Sequence, residues 1–351
     1  MRGIVITVVL MVTIPFTLAS EWRWELPPGF PPPVVPQDNP MTAEKVLLGR
    51  QLFFDGRLSA NRTQSCASCH DPSLAFTDGK PRAVGSTGET HPRSTMSLLN
   101  VAYSTNLTWQ DETITTLEQQ ALIPMLNRNP VELGLYGKEA LVVERFSNDP
   151  SMRRLFLNAF PDETEPISFD SIAKALASFQ RTLIGGDTPY FRWIYGDDSS
   201  AMSAAAKRGA KLFFSDELRC STCHVGFTFS GPIRAESLDE IEPTFHNTGL
   251  YDIDGEGSYP KESPGINHEG RFRAPTLINI SRTAPYMHDG SIHTLSEVID
   301  FYAAGGRGAG KANRFKSERV EGFAISQSER EELLAFLASL STSPSDKKMR
   351  E

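Results

Sequence analysis

The chain has 351 residues, of which 43 are acidic and 35 basic, giving a formal net charge of −8. That balance argues against a nucleic-acid binder. The length accommodates two domains of ordinary size.

In chain order, Met1 and Arg2 precede an apolar run from Ile4 to Leu18 and the small residues Ala19 and Ser20. A positive start, a short apolar core and a small-residue cleavage site predict a signal peptide over 1–20. The run is short for a membrane span and Pro15 interrupts it, so no span is expected in the mature chain. Residues 21–40 carry Pro27, Pro28, Pro31, Pro32, Pro33, Pro36 and Pro40 behind Trp22 and Trp24. Such an arm is extended, in part polyproline II, and is expected to wrap over a globular body.

Two strings then dominate the reading, Cys66-Ala67-Ser68-Cys69-His70 and Cys220-Ser221-Thr222-Cys223-His224. Each is C-x-x-C-H, the attachment signature of a c-type haem, with the cysteines bonded to the vinyl groups and the histidine proximal to iron. One structural zinc shared by the four cysteines, a thioredoxin-like dithiol and two disulfides are the competing readings. Zinc does not need a histidine directly after both pairs, and no βαβ pattern surrounds either. The two motifs use every cysteine in the chain.

The surroundings of the motifs repeat. Gly49-Arg50-Gln51-Leu52-Phe53-Phe54 precedes the first, and Gly209-Ala210-Lys211-Leu212-Phe213-Phe214 precedes the second. Thr42 and Ser203 are candidate N-caps for the helices that end there. Those apolar residues can cover a haem face, and the glycines allow a close helix crossing. A second helix should close each unit: Ile172, Leu176, Phe179 and Leu183 in the first, and Leu333, Leu334, Phe336, Leu337 and Leu340 in the second. Ser326 and Glu329 form a capping box for the latter. The predicted fold is mainly α: two cytochrome c-like domains over 41–196 and 202–342, long loops, a linker from Gly185 to Ser203, and a tail over 343–351.

Five segments resemble the bacterial di-haem cytochrome c peroxidases and their relative MauG. They are the stretch from Gly49 to Asp55, the two haem motifs, Ser97 to Tyr103, Gln120 to Gly134, and Ala274 to Gly290, which includes Thr283-Ala284-Pro285-Tyr286-Met287-His288-Asp289-Gly290. The arm and the loop from Val84 to Arg93 are most similar to the methanobactin-associated MbnH subgroup.

The resemblance implies roles residue by residue. Tyr302 falls where the family's electron-transfer haem takes its distal ligand, methionine in the peroxidases and tyrosine in MauG. A phenolate favours higher iron oxidation states, whereas a thioether favours the reduced state. Met287 is the competing ligand, and a packed helix-face tyrosine is the alternative for Tyr302. Glu132 matches the distal glutamate of the peroxidatic haem and Gln120 its neighbouring glutamine. Trp109 matches the tryptophan lying between the haems. A calcium ion between the haems is implied at Ser94, Thr283 and Pro285, with serine standing where the family has asparagine. His91 does not fall at the spacing of the histidine that blocks the peroxidatic haem in the peroxidases, so an open haem is expected.

These resemblances imply a periplasmic oxidoreductase with two c-type haems. It would use hydrogen peroxide to reach a bis-Fe(IV) state and oxidise a residue on a partner. The MbnH likeness implies conversion of tryptophan to kynurenine on an MbnP-like copper-binding protein. The alternative is a cytochrome c peroxidase reducing peroxide with electrons from a small cytochrome c. A third reading is a plain electron-transfer protein with both irons six-coordinate.

Overall fold

The computed structural model describes residues 22–238, 244–251 and 270–342. The predicted signal segment and the tail lie outside the described residues. Nine helices carry these residues: α1 (Ala43–Phe53), α2 (Leu117–Leu126), α3 (Glu139–Ser147), α4 (Pro150–Ala159), α5 (Phe169–Arg181), α6 (Pro189–Tyr195), α7 (Ala204–Phe213), α8 (Leu295–Ala303) and α9 (Gln327–Ser339). Among the described residues the only β pairing is isolated bridges. No helix among them is long and apolar enough to cross a membrane.

Two helix crossings organise the molecule, and both turn on a glycine. In the first, α1 packs on α5: a Cβ at Gly49 would lie 1.9 Å from the carbonyl oxygen of Ala175. In the second, α7 packs on α9, and a Cβ at Gly209 would lie 1.9 Å from the carbonyl oxygen of Glu332. No side chain fits at either point, so the backbones touch. The same register follows on each helix. Phe53 meets Phe179 at 5.2 Å between ring centroids, and Phe213 meets Phe336 at 5.1 Å. Leu48, Leu52, Phe53, Ile172 and Phe336 are fully buried. Each such side chain contributes roughly 1.5–3 kcal/mol by leaving water.

Local signals start these helices. The Thr42 side chain accepts from the amide of Lys45, and Ser203 from that of Ala206. Ser326 and Glu329 form the reciprocal box expected of them at the start of α9. Leu183 lies beyond the end of α5 rather than on it. The backbone has already turned there, and its preceding carbonyls are used by Thr182 and Leu183 themselves.

The stretch expected to be a linker is not one. It contains α6, capped by Thr188 with Pro189 in its first turn. Phe191 is buried, and Tyr190 packs on Phe336 at 5.7 Å. This helix therefore belongs to the second core, although the predicted boundary put it with the first unit. The flanking Gly185-Gly186 and the run from Asp197 to Ser200 concealed its role, because they read as linker on both sides of a short aromatic helix.

The proline-rich arm ties the two cores together. Phe30 inserts into the second, with ring centroids 4.8 Å from Phe227, 5.0 Å from Phe191 and 5.9 Å from Tyr103. Tyr103 donates its hydroxyl to the carbonyl of Pro31 at 2.8 Å. Nine residues after Phe30, Asn39 reaches the first core, donating to Glu118 at 2.6 Å and to the carbonyl of Lys174 on α5 at 3.0 Å. An extended segment with few internal hydrogen bonds can bridge such a span because proline limits what it loses on ordering.

Candidate di-haem active site

The two C-x-x-C-H strings fold into matching turns. In each, the first cysteine's carbonyl accepts from the histidine amide, at 2.9 Å from His70 and 3.1 Å from His224. The cysteines and the histidine are thereby held on one tight turn. A loop closes back at once, with Asp71 pairing to Thr77 and Val225 to Ser230. Its tip carries a residue in the left-handed region, Phe76 at φ 61° and Phe229 at φ 49°. That conformation costs a non-glycine residue energy, and it aims the carbonyl at the imidazole.

Those carbonyls set the histidine tautomers. His70 Nδ1 lies 2.9 Å from the Phe76 oxygen, and His224 Nδ1 lies 3.1 Å from the Phe229 oxygen and 3.2 Å from that of Pro275. A carbonyl only accepts, so Nδ1 carries the proton and Nε2 keeps its lone pair. Burial lowers both histidine pKa values against the opposing pull of these carbonyls. Neutral imidazole with a committed Nδ1 is the form that ligates a metal.

A second layer repeats as well. Ser97 Oγ donates to the carbonyl of Ala75 at 2.6 Å, and Thr276 Oγ1 donates to that of Thr228 at 2.7 Å. Each accepted carbonyl precedes the aiming phenylalanine. Asn100 and Asn279 follow three residues later, both left-handed at φ 62°. Their amides donate to the carbonyls of Leu183 and Leu340 just past α5 and α9. Their Oδ1 atoms accept from Gly185 and Thr342. The sequence reading missed this layer. The signal was the pair Leu99-Asn100 and Ile278-Asn279, placed at unequal distances from the two motifs.

Glu132 is near enough to the first turn for its charge to oppose ionisation of Cys66 and Cys69. Burial pushes the Glu132 carboxyl up to about 7. Gly85 makes this possible: its Cβ would lie 1.9 Å from the Val131 carbonyl, so the 84–91 loop presses directly on the Glu132 backbone. The Ser86 amide donates to the Glu132 carbonyl at 2.7 Å. The same loop delivers His91, whose Nε2 is 4.0 Å from Glu132 Oε1. His91 thus shares the site, although its spacing had set it aside. Loop packing through Gly85 overrides a count along the chain. Gln120 is half-buried in the first turns of α2 and makes no side-chain hydrogen bond to Glu132.

Near the second turn the residue is different. Tyr302, on α8, is held above its ordinary pKa by burial, with Cys223 and Cys220 close enough for their ionisation to add to the effect. Met287 packs in the same small apolar cluster, together with Tyr286, Val298 and Phe301.

Trp109 is bracketed by both sites. Its indole N–H donates to the carbonyl of Ser94 at 2.9 Å, and Ser94 lies three residues from His91. Its own carbonyl accepts from Arg273 at 3.1 Å, two residues before Pro275. The Ser94 amide also donates to the carbonyl of His288 at 2.8 Å, which seats Ser94 against the 283–290 segment. Arg273 is deeply buried here, donating to Ser104, to the Asn106 carbonyl and to the Met96 sulfur.

The donor sets fit two covalent haems. All four cysteines are free thiols. Burial raises each, to about 12 for Cys66 and Cys220 and about 11 for Cys69. Among the described residues no three His, Cys, Asp or Glu side chains converge, so the single-zinc reading finds no site there. Leu52 and Phe53 are sealed in the helix crossing, while Phe54 and Phe214 remain 46% and 49% exposed. Of the two Phe-Phe pairs, only these outer rings have surface to offer a macrocycle.

Two such turns, each with a proximal imidazole, define a c-type cytochrome with two haem sites. The family model described as di-haem cytochrome c peroxidase matches residues 43–199. The methylamine utilization protein MauG of Methylorubrum extorquens is 37% identical over 327 residues, covering 93% of this chain and 85% of that protein. The cytochrome c551 peroxidase of Pseudomonas aeruginosa is 30% identical over 268 residues, covering 74% and 72%. A solved structure described as a MauG-like protein associated with microbial copper homeostasis superposes with a TM-score of 0.86. It is 43% identical, over 91% of this chain and 95% of that one. The chain belongs to the di-haem cytochrome c peroxidase and MauG family. It is an oxidoreductase that acts with hydrogen peroxide and carries two c-type haems.

Proposed function

We propose that this chain is a periplasmic enzyme of the MbnH type, which uses hydrogen peroxide to oxidise a tryptophan of an MbnP-like copper-binding protein to kynurenine. One observation supports the reading: the two C-x-x-C-H turns are alike, yet the buried titratable group near the first is the carboxyl of Glu132 and near the second the phenol of Tyr302. The similarity to a MauG-like protein associated with copper homeostasis supports the choice of partner. When bound, the two haems supply the redox chemistry and hold the oxidising equivalents taken from peroxide.

The residues divide the remaining work. His70 and His224 would hold the two haem irons, with their imidazoles oriented by the carbonyls of Phe76, Phe229 and Pro275. Glu132, poised near neutrality, takes the first proton of hydrogen peroxide and returns it to the departing oxygen. Tyr302 would supply the oxygen donor to the second haem and would close that site to substrate. Trp109 relays charge between the sites, so oxidation at the second site needs no peroxide there. Ser94 with the carbonyls of Thr283 and Pro285 would hold a calcium ion between the haems. Chelation should then slow the peroxide reaction, and added calcium should restore it.

The test is to mix the di-haem enzyme, peroxide and a purified copper-binding partner and to look for kynurenine by mass spectrometry. Kynurenine formed only with the complete mixture supports the reading. An unmodified partner, together with rapid peroxide turnover on a reduced small cytochrome c, sinks it. The position of His91 beside Glu132 favours that second reading specifically, a cytochrome c peroxidase whose first haem is gated by the 84–91 loop. An electronic spectrum of the ferric enzyme separates them, because an open first haem is high-spin.

A further inference from the structure

Beyond Trp109 the structure holds an aromatic cluster with no part in the functions above. Trp109 lies 6.2 Å from Phe272 and 6.5 Å from His288, both edge to face. Phe272 and His288 are stacked, 3.7 Å apart and 14° from parallel. On the far side, Tyr251 is 5.7 Å from His288. Its hydroxyl donates a hydrogen bond to the carboxylate of Asp289. Four rings are therefore in unbroken contact, and the last of them ends on a base.

That ending decides the chemistry. A phenol that loses an electron becomes a strong acid, so it is oxidised readily only where its proton can leave at the same moment. Burial raises the Tyr251 phenol to about 12, helped by the adjoining carboxylate. Burial also works to raise Asp289, but the bond from Tyr251 and the neighbouring His288 outweigh it and hold the carboxyl low. At neutral pH the pair is a phenol and a carboxylate, the proton-donor and proton-acceptor states the step requires. The guanidinium of Arg307 sits 5.5 Å from the Tyr251 ring centroid. A cation there opposes a positively charged ring and favours loss of the proton.

We propose that Tyr251 is a redox-active residue: it gives one electron to the oxidised enzyme through His288, Phe272 and Trp109, and it gives its phenol proton to Asp289. In balance, one Tyr251 phenol and one Asp289 carboxylate become a neutral tyrosyl radical and a carboxylic acid. The peroxide-oxidised enzyme is reduced by one electron. The cluster is then an outlet for oxidising equivalents from Trp109 to Tyr251, which packs in the same apolar cluster as Tyr302. The path through Trp109 rests on the relay role proposed above, whereas the Tyr251–Asp289 pair stands on its own geometry.

The holoenzyme carrying ring-deuterated tyrosine should be mixed with hydrogen peroxide, freeze-quenched and examined by electron paramagnetic resonance. A tyrosyl signal is expected in the unsubstituted enzyme, and Tyr251→Phe should remove it. Asp289→Asn should cut its yield at least about tenfold, in line with the loss of a positioned base, and Asp289→Glu should retain it. Haem content and the thermal midpoint of each variant separate this from misfolding. Haems that oxidise without any tyrosyl signal, or a signal that survives Tyr251→Phe, overturn the proposal while leaving the proposed function intact. If the haems do not react with peroxide, the proposed function fails. The pair is then judged with flash-generated tris(bipyridine)ruthenium(III) as oxidant, where a radical lost in Tyr251→Phe supports it and no radical at residue 251 overturns it.

Discussion

The two halves of this molecule share a lower side and differ in the upper one. Below, they match feature by feature: a glycine helix crossing, a cysteine-rich turn, a left-handed phenylalanine and a carbonyl on Nδ1. Above, one half presents Glu132 and His91, and the other presents Tyr302. The difference shows where duplicated folds can diverge. The turn that holds the histidine is constrained by covalent attachment and by backbone hydrogen bonds on every side. The distal residue comes from a separate segment, so it can change while the turn below stays as it is. Function follows that freedom. A carboxyl near pH 7 can shuttle protons, whereas a deep-set phenol can anchor a metal and close the face.

The sharpest way to break the comparison is to make the halves chemically equivalent. Glu132→Gln removes the proton shuttle and should slow the reaction with peroxide by about 10²–10⁴-fold while leaving both haems attached. Stopped-flow absorbance at the haem band measures this. In the unsubstituted enzyme the same rate should rise with pH through about 7, because the carboxyl must be ionised to take the peroxide proton and it is protonated below that value. A flat profile would remove Glu132 from the role.

Tyr302→Met should come next in size. If Tyr302 ligates as proposed, the change replaces an oxygen donor by a thioether and should raise the potential of the second haem by on the order of 100 mV or more, about 2.3 kcal/mol per electron for each 100 mV. Spectroelectrochemistry reads the shift, and an unchanged potential would show that Tyr302 is not a ligand.

The lower side offers matched tests of smaller size. Gly49→Ala and Gly209→Ala each force a methyl group into a carbonyl oxygen, and each should cost about 1–3 kcal/mol of stability. Similar losses in the two variants, read by chemical denaturation, would sharpen the view that the halves are structural copies. Ser97→Ala and Thr276→Ala should cost only about 1 kcal/mol apiece. Their finer signature is a shift in the iron–histidine stretching frequency of the corresponding haem alone, since the lost bond steadies the loop that aims the carbonyl at Nδ1.

Much of this was legible in the chain because the signals were local. A C-x-x-C-H turn spans five residues, and the caps at Thr42, Ser203 and Ser326 act within one helical turn. The helix crossings were legible through Gly49 and Gly209, since a repeated glycine before a repeated Leu-Phe-Phe has few other uses. What was hidden depended on contacts between distant segments. Residue counting placed His91 off the site, yet Gly85 presses its loop onto Val131 and brings it there. Helix α6 looked like a linker because Phe191 and Tyr190 mark its buried side only when Phe30 and Phe336 are in place. Tyr251 carried no motif at all.

By itself the sequence determined the cofactor and the duplicated frame, because covalent attachment and helix periodicity are written in residues close together in the chain. Tertiary structure alone decided how strongly each group holds its proton and which groups meet. Glu132 is lifted toward neutrality by burial, and Tyr251 is matched to Asp289 across 38 residues of chain. Desolvation and contact are properties of the packed molecule, set by what surrounds a residue and not by what precedes it.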